Sequence, residues 1–193
     1  MARSDDIAAE VRQLARTPQV RLLGTVSEAM LNAFQDQLAA AEPGEGPIAV
    51  EITSMGGDAD IGRRLALEVG LARERLNRRL VFIGKTAVYS AATTVMGGFP
   101  RKDRYLTRDA VLLIHCRQLQ RSLELSGPLG ASRVRLNQIL GEIEIGVQLQ
   151  QEGYAALVEG SRVSIDEITA EAEAGWYVRA EEALARGLVA GLI

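Results

Sequence analysis

Three stretches are apolar on both faces of a would-be strand: PIAVEIT (47–53), RLVFIG (79–84) and AVLLIH (110–115). A strand with one wet face alternates apolar and polar residues, so a continuous apolar run must be covered on both sides. Segments of helical periodicity separate these runs. SEAMLNAFQDQLAAAE (27–42) places Ala29, Leu31, Phe34 and Leu38 toward a core, with Ser27 as N-cap. From SMGGDAD to Asn77 the apolar residues Ile61, Leu65, Val69, Ala72 and Leu76 recur at helical spacing. Strand alternating with helix, and strands apolar throughout, predict an α/β fold with a mostly parallel sheet covered by helices.

The remaining elements are shorter. A helix over 5–16 is ended by Pro18, and strands are expected at 20–24 and 105–107. A long helical pattern runs from about 132 to 158 through Leu136, Leu140, Ile143, Val147, Tyr154 and Val158. Two short helices and GLVAGLI close the chain. The organisation read from this is an N-terminal extension (1–19) and one domain (20–193).

Composition narrows the function classes. The chain has 193 residues, 47% apolar and 4% aromatic, with a net charge of -3. No basic stripe interleaved with aromatics is present, so nucleic acid is not an expected partner. No apolar run has the length needed to span a bilayer, so no membrane association is expected. The N-terminal stretch carries scattered charges and no apolar centre, which does not fit a signal peptide. The single cysteine, Cys116, cannot pair internally, and one Cys beside one His, His115, cannot build a Cys/His zinc site. The expectation is a cytoplasmic protein with no metal and no cofactor.

Two places carry chemistry. SMGGDAD puts Gly56 and Gly57 between a strand end and a helix start. A tight turn is the commoner reason for such a pair. The other reason is that a residue without Cβ lets a carbonyl approach backbone N–H groups at a helix N-terminus, where an oxyanion is favoured. GKTAVYSAATTVMGG (84–98) follows an apolar run and presents Ser90 at the start of a small-residue helix, while His115 ends the next apolar run. Alone, Ser90 reads as a cap and His115 as a strand-end residue. Together they lie where strands emerge on one edge of a parallel sheet, and a serine needs a neighbouring base to be nucleophilic at neutral pH. The base needs an acceptor on its other nitrogen, for which Asp166, Glu167, Glu171 and Glu173 are available. A Ser/Lys pair could use only Lys85 or Lys102, and neither suits as well as His115.

These motifs, in this order, resemble the proteolytic subunit of the Clp protease, a serine peptidase of the Clp/crotonase fold. The resemblance covers about residues 20–193. It rests on RLLGTVSEAMLNAFQDQLAAAE, on PIAVEITSMGGDADIG with SMGG in place of Ser-Pro-Gly-Gly, on the gapless stretch from Ser90 to His115, and on ITAEAEAGWYVRAEEALARGLVAGLI. It implies Ser90 as nucleophile, His115 as base, Glu171 (in place of the family's Asp, with Glu173 as runner-up) as acid, and the N–H groups of Gly57 and Ala91 as oxyanion hole. Aligned from Gly84 instead, the nucleophile position falls on Val88 and the chain would be inactive. The resemblance also implies a peptide or unfolded-protein substrate, a ring-like homo-oligomer built through a protruding handle (about 116–160), and an ATP-dependent unfoldase as partner. Apolar handle residues such as Leu149 and Tyr154 should then be poorly covered in one protomer. The family's glycine-rich substrate strand is replaced here by QLQRSLELSGPLG (118–130), so peptidase activity of the isolated chain should be weak. Readings that compete with the peptidase are a crotonase-like acyl-CoA enzyme and a non-catalytic assembly subunit.

Overall fold

The computed structural model describes residues 2–120 and 122–193, with side chains from residue 9 onward. In chain order the elements are α1 (Ala2–Arg16), β1 (Val20–Leu23), α2 (Glu28–Ala41), β2 (Ile48–Ser54), α3 (Ala59–Leu76), β3 (Leu80–Tyr89), α4 (Ala91–Gly97), β4 (Arg104–Leu106), β5 (Val111–Ile114), α5 (Leu129–Val158), α6 (Ile165–Ala174), β6 (Trp176–Arg179), α7 (Ala180–Ala185) and β7 (Gly191–Leu192). Helices α3 and α6 start where a side chain satisfies orphan N–H groups. The Asp58 carboxylate accepts from the N–H groups of Asp60 and Ile61 at the head of α3, and Ser164 accepts from Glu167 at the head of α6. Ser27 holds the N-cap position of α2 but makes no side-chain capping bond.

The sheet is seven-stranded, in the order β1-β2-β3-β4-β7, with β5 joined to β3 and β6 joined to β5. Every pairing is parallel except the antiparallel β5–β6 pair. β3 is the pivot. Its first half (Phe82–Gly84) pairs with β4, and its second half (Ala87–Tyr89) pairs with β5. The change of partner falls at Lys85–Thr86, where Thr86 has φ 56° and the register with β2 also shifts. The apolar run ends at Gly84, so the sequence predicts a strand ending there. Instead the strand continues past this irregularity to Tyr89, immediately before Ser90.

One face of the sheet carries the main core, in which Phe34, Leu65, Val69, Phe82, Val95, Met96 and Phe99 are buried together. Phe82 and Phe99 meet edge to face at 5.4 Å. The other face is sealed by α1, whose Val11 packs with Ala49, Val81, Ile83 and Tyr105. Lys85 pins this helix, donating to the Ala15 carbonyl and to Glu51. The segment read as an extension is thus, over its described residues, one layer of the fold. The β-strand runs are apolar on both faces because both faces are covered.

Three expectations change. On α2 the buried residues are Met30, Phe34 and Leu38, so Met30 rather than Ala29 supplies the first contact. β6 (WYVR), between two short helices, is an additional strand with alternating burial. On α5 Tyr154 is buried by packing on the main core, and Leu149 is half-buried. The uncovered apolar residues lie earlier on that helix: Leu129, Val134, Leu136, Leu140, Ile143, Ile145 and Val147. α5 has 30 residues, a length of about 45 Å, and only its C-terminal end joins the domain core. Arg104 locks that end. Its buried guanidinium donates to the carbonyls of Phe99 (2.8 Å), Leu157 (2.6 Å), Gly97 (3.2 Å) and Ala156 (2.9 Å).

Candidate active site

Ser90 sits at the turn between β3 and α4, with φ 55° and ψ -122°. A non-glycine residue with positive φ outside a regular turn is strained, and such strain gathers at functional sites. The turn is held from both sides. The Ser90 N–H donates to the Leu113 carbonyl of β5 at 2.7 Å. The Ser90 carbonyl accepts from the Thr93 N–H (2.9 Å) and the Thr93 hydroxyl (2.7 Å). Although Ser90 occupies the N-cap position of α4, its hydroxyl makes no capping bond. The bland reading of Ser90 as a cap therefore fails. Val88, the alternative from the other alignment, is fully buried within β3.

The paired glycines stand against this turn. A Cβ on Gly56 would lie 2.6 Å from Ser90 Cβ and 3.2 Å from Ser90 Oγ, and Gly56 has φ 100°. A Cβ on Gly57 would lie 2.3 Å from the Val26 carbonyl oxygen. Both positions therefore require glycine, for close approach as well as for φ. The parallel bridge of this loop with Val26 uses the Gly56 carbonyl and the Asp58 N–H, so the Gly57 N–H takes no part in it. Ala91 is the first residue of α4, and its N–H has no intrahelical acceptor.

His115 follows β5 directly and is half-buried. Its Nδ1 lies 2.7 Å from the Cys116 carbonyl oxygen. A carbonyl only accepts, so Nδ1 carries the proton and Nε2 is the basic nitrogen of the neutral ring. This is the tautomer a general base needs. The group that fixes it here is the backbone rather than a carboxylate. Glu171 and Glu173 are exposed on α6 and do not line the cleft. Their helix is nevertheless adjacent: the Cys116 N–H donates to the carbonyl of Ala172 at 3.3 Å.

A cleft of about 480 Å³ brings Gly57, Ser90, Ala91 and His115 onto one surface. Its walls also carry Asp60, Arg117, Gln150 and Tyr154, none of which the sequence singled out as site residues. They were not legible because their partners are remote in the chain: Arg117 bonds Gln150 and Asp60, 33 and 57 positions away. Burial, followed by the neighbouring Cys116, raises the pKa of the Tyr154 phenol well above its ordinary value, so it stays a neutral hydroxyl. Lys85 is committed to Glu51 and α1, and neither it nor Lys102 lines the cleft. Among the described residues no group of three or more His, Cys, Asp or Glu could hold a metal ion, and no helix is long and apolar enough to cross a membrane.

A parallel sheet with helices on its faces, a long projecting helix, and a strained serine facing paired glycines define an α/β protein of the Clp/crotonase fold. Comparison with known proteins agrees. The solved structure of a ClpP1 point variant from Listeria monocytogenes matches with a TM-score of 0.71 at 18% identity, covering 94% of each chain. No curated protein matches the sequence. The family model for Clp protease matches residues 2–193. The chain belongs to the Clp protease family.

Proposed function

We propose that this chain is a serine peptidase of the Clp type, acting through an acyl-enzyme. The observation that carries the reading is the Ser90 turn: a strained serine whose hydroxyl is not spent on capping, on the same cleft as His115 and the N–H groups of Gly57 and Ala91. In the proposed reaction Ser90 Oγ attacks a peptide carbonyl and His115 Nε2 takes the hydroxyl proton. The Gly57 and Ala91 N–H groups hold the negative oxygen of the tetrahedral intermediate. His115 then returns the proton to the leaving amine, and water, activated by the same nitrogen, releases the acyl group.

Glu171 matches the family's acid position, and its neighbour Ala172 is already bonded to Cys116. In this reading its carboxylate takes over Nδ1 from the Cys116 carbonyl when the site is engaged. The exposed apolar row on α5 supports assembly of several copies into a ring, as in the family, and an unfoldase partner rests on family membership alone. A second reading, a non-catalytic assembly subunit, is favoured by one observation: His115 is held by a backbone carbonyl and, among the described residues, by no acid. Mass spectrometry after treatment with a small alkyl fluorophosphonate decides between the two. The peptidase reading expects one adduct, on Ser90, absent in Ser90→Ala and slowed by orders of magnitude in His115→Ala, with a smaller loss in Glu171→Gln. Folded wild-type protein that takes no adduct refutes it.

A further inference from the structure

The wall of the cleft that follows His115 is occupied from within the chain. The Arg117 N–H donates to the side-chain carbonyl of Gln150, on α5, at 2.7 Å. The Arg117 guanidinium bonds Asp60, in the first turn of α3, at 3.0 Å. All three residues line the cleft that holds Ser90 and His115. The preceding donor, the Cys116 N–H, is turned the other way, to Ala172 on α6. A peptide that docks in an extended form needs free main-chain donors beside the nucleophile. Here the donor that faces the cleft is held by a side-chain amide, which has the same C=O chemistry as a peptide bond. The ion pair meanwhile ties this wall to the head of α3.

We propose that Gln150 and the Arg117–Asp60 pair form an internal plug, with Gln150 standing in for a substrate carbonyl, so that an extended peptide enters the cleft only after displacing both. The inference rests on the peptidase reading and adds to it a reason to expect low activity in the free chain. The plug is weak by construction. One hydrogen bond and one ion pair with an exposed partner hold it, and Asp60 is also shared with Arg63 at 3.9 Å. It is therefore a contact that substrate or a neighbouring copy can open.

The test compares two probes on the full chain: a small alkyl fluorophosphonate and a tripeptidyl diphenyl phosphonate, with second-order rates of Ser90 modification read by mass spectrometry. The measured quantity is the ratio of the peptidyl rate to the small-probe rate. In Gln150→Ala this ratio should rise roughly fivefold over wild type, the weight of one ordinary hydrogen bond, and in Asp60→Asn it should rise by less, the weight of an exposed ion pair. In wild type, salt that screens the exposed pair should move the ratio in the same direction. Thermal melts establish that the variants are folded. A ratio that stays level or falls, with Ser90 still labelled by the small probe, overturns the plug and leaves the peptidase reading standing. Failure of the small probe to label Ser90 in any of the proteins overturns the peptidase reading and the plug with it.

Discussion

Replacing Gly56 by alanine should cost reactivity as well as stability, and the structure gives the size of both. The new Cβ would lie 2.6 Å from Ser90 Cβ and 3.1 Å from the Tyr89 carbonyl oxygen, whereas ordinary contact begins near 3.4 Å. Neither atom is the end of a flexible side chain, so the turn itself must retreat by close to an ångström. A displacement of that size at a reacting atom costs on the order of 100-fold. The backbone adds a second cost, because φ 100° is foreign to alanine, and such strain is worth about 2 kcal/mol. For a chain of this length that lowers Tm by roughly 4–8 °C. The control is Gly46→Ala, at φ 73°, where an added Cβ meets nothing within 4 Å. It should show the loss in Tm without the loss in Ser90 labelling. The assay is the rate of fluorophosphonate modification beside a thermal melt of each variant. Labelling of Gly56→Ala within about threefold of wild type would refute the argument, as would an equal loss of labelling in Gly46→Ala.

Other perturbations separate the roles of the remaining parts. Arg104→Met strands the buried carbonyls that Arg104 now satisfies, and it should cost about 3–5 kcal/mol, read as a lower midpoint in urea denaturation. Burial already lowers the Arg104 pKa to about 10, so the guanidinium stays charged and bonded at neutral pH and the loss should be level from pH 6 to 8. Lys85→Gln breaks the tie between β3, Glu51 and α1; it should speed hydrogen exchange in α1 while Ser90 labelling continues, and a loss of labelling comparable to that of Ser90→Ala would revive a lysine mechanism. A double charge insertion on the exposed apolar row, Leu140→Glu with Ile143→Glu, should reduce the mass seen by light scattering. A monomer mass for wild type at micromolar concentration would sink the assembly reading.

The parts of the fold that were legible in the sequence are those where one local signal decides. Continuous apolar runs marked β2, the first half of β3, and β5, since only double coverage explains them. The position of His115 followed, because it comes directly after β5, whereas Ser90 comes after the half of β3 that no apolar run marked. The second half of β3 was hidden by Lys85 and Thr86, polar residues whose reason is tertiary: one pins α1, and the other bends the strand toward a new partner. β6 was hidden because four residues of alternating burial between two helices give too short a pattern to read. The Arg117–Gln150 contact was beyond reach of any local reading, since it depends on where the end of α5 returns to the sheet. Met30 replaced Ala29 on the core face of α2 by one position, the usual uncertainty of a helical stripe whose ends are apolar on several sides.

The divided pairing of β3 has a consequence for how such a chain can change over evolutionary time. Its first half belongs to a sheet that runs from β1 to β7. Its second half leads directly into Ser90 and is joined laterally by β5, which leads directly into His115. Under the proposed reading, substitutions in the second block would reach the chemistry first, while β4 on the first block still holds the end of α5 through Arg104. In that reading, reactivity depends on the second block and the anchoring of α5 on the first, so a change in one need not disturb the other.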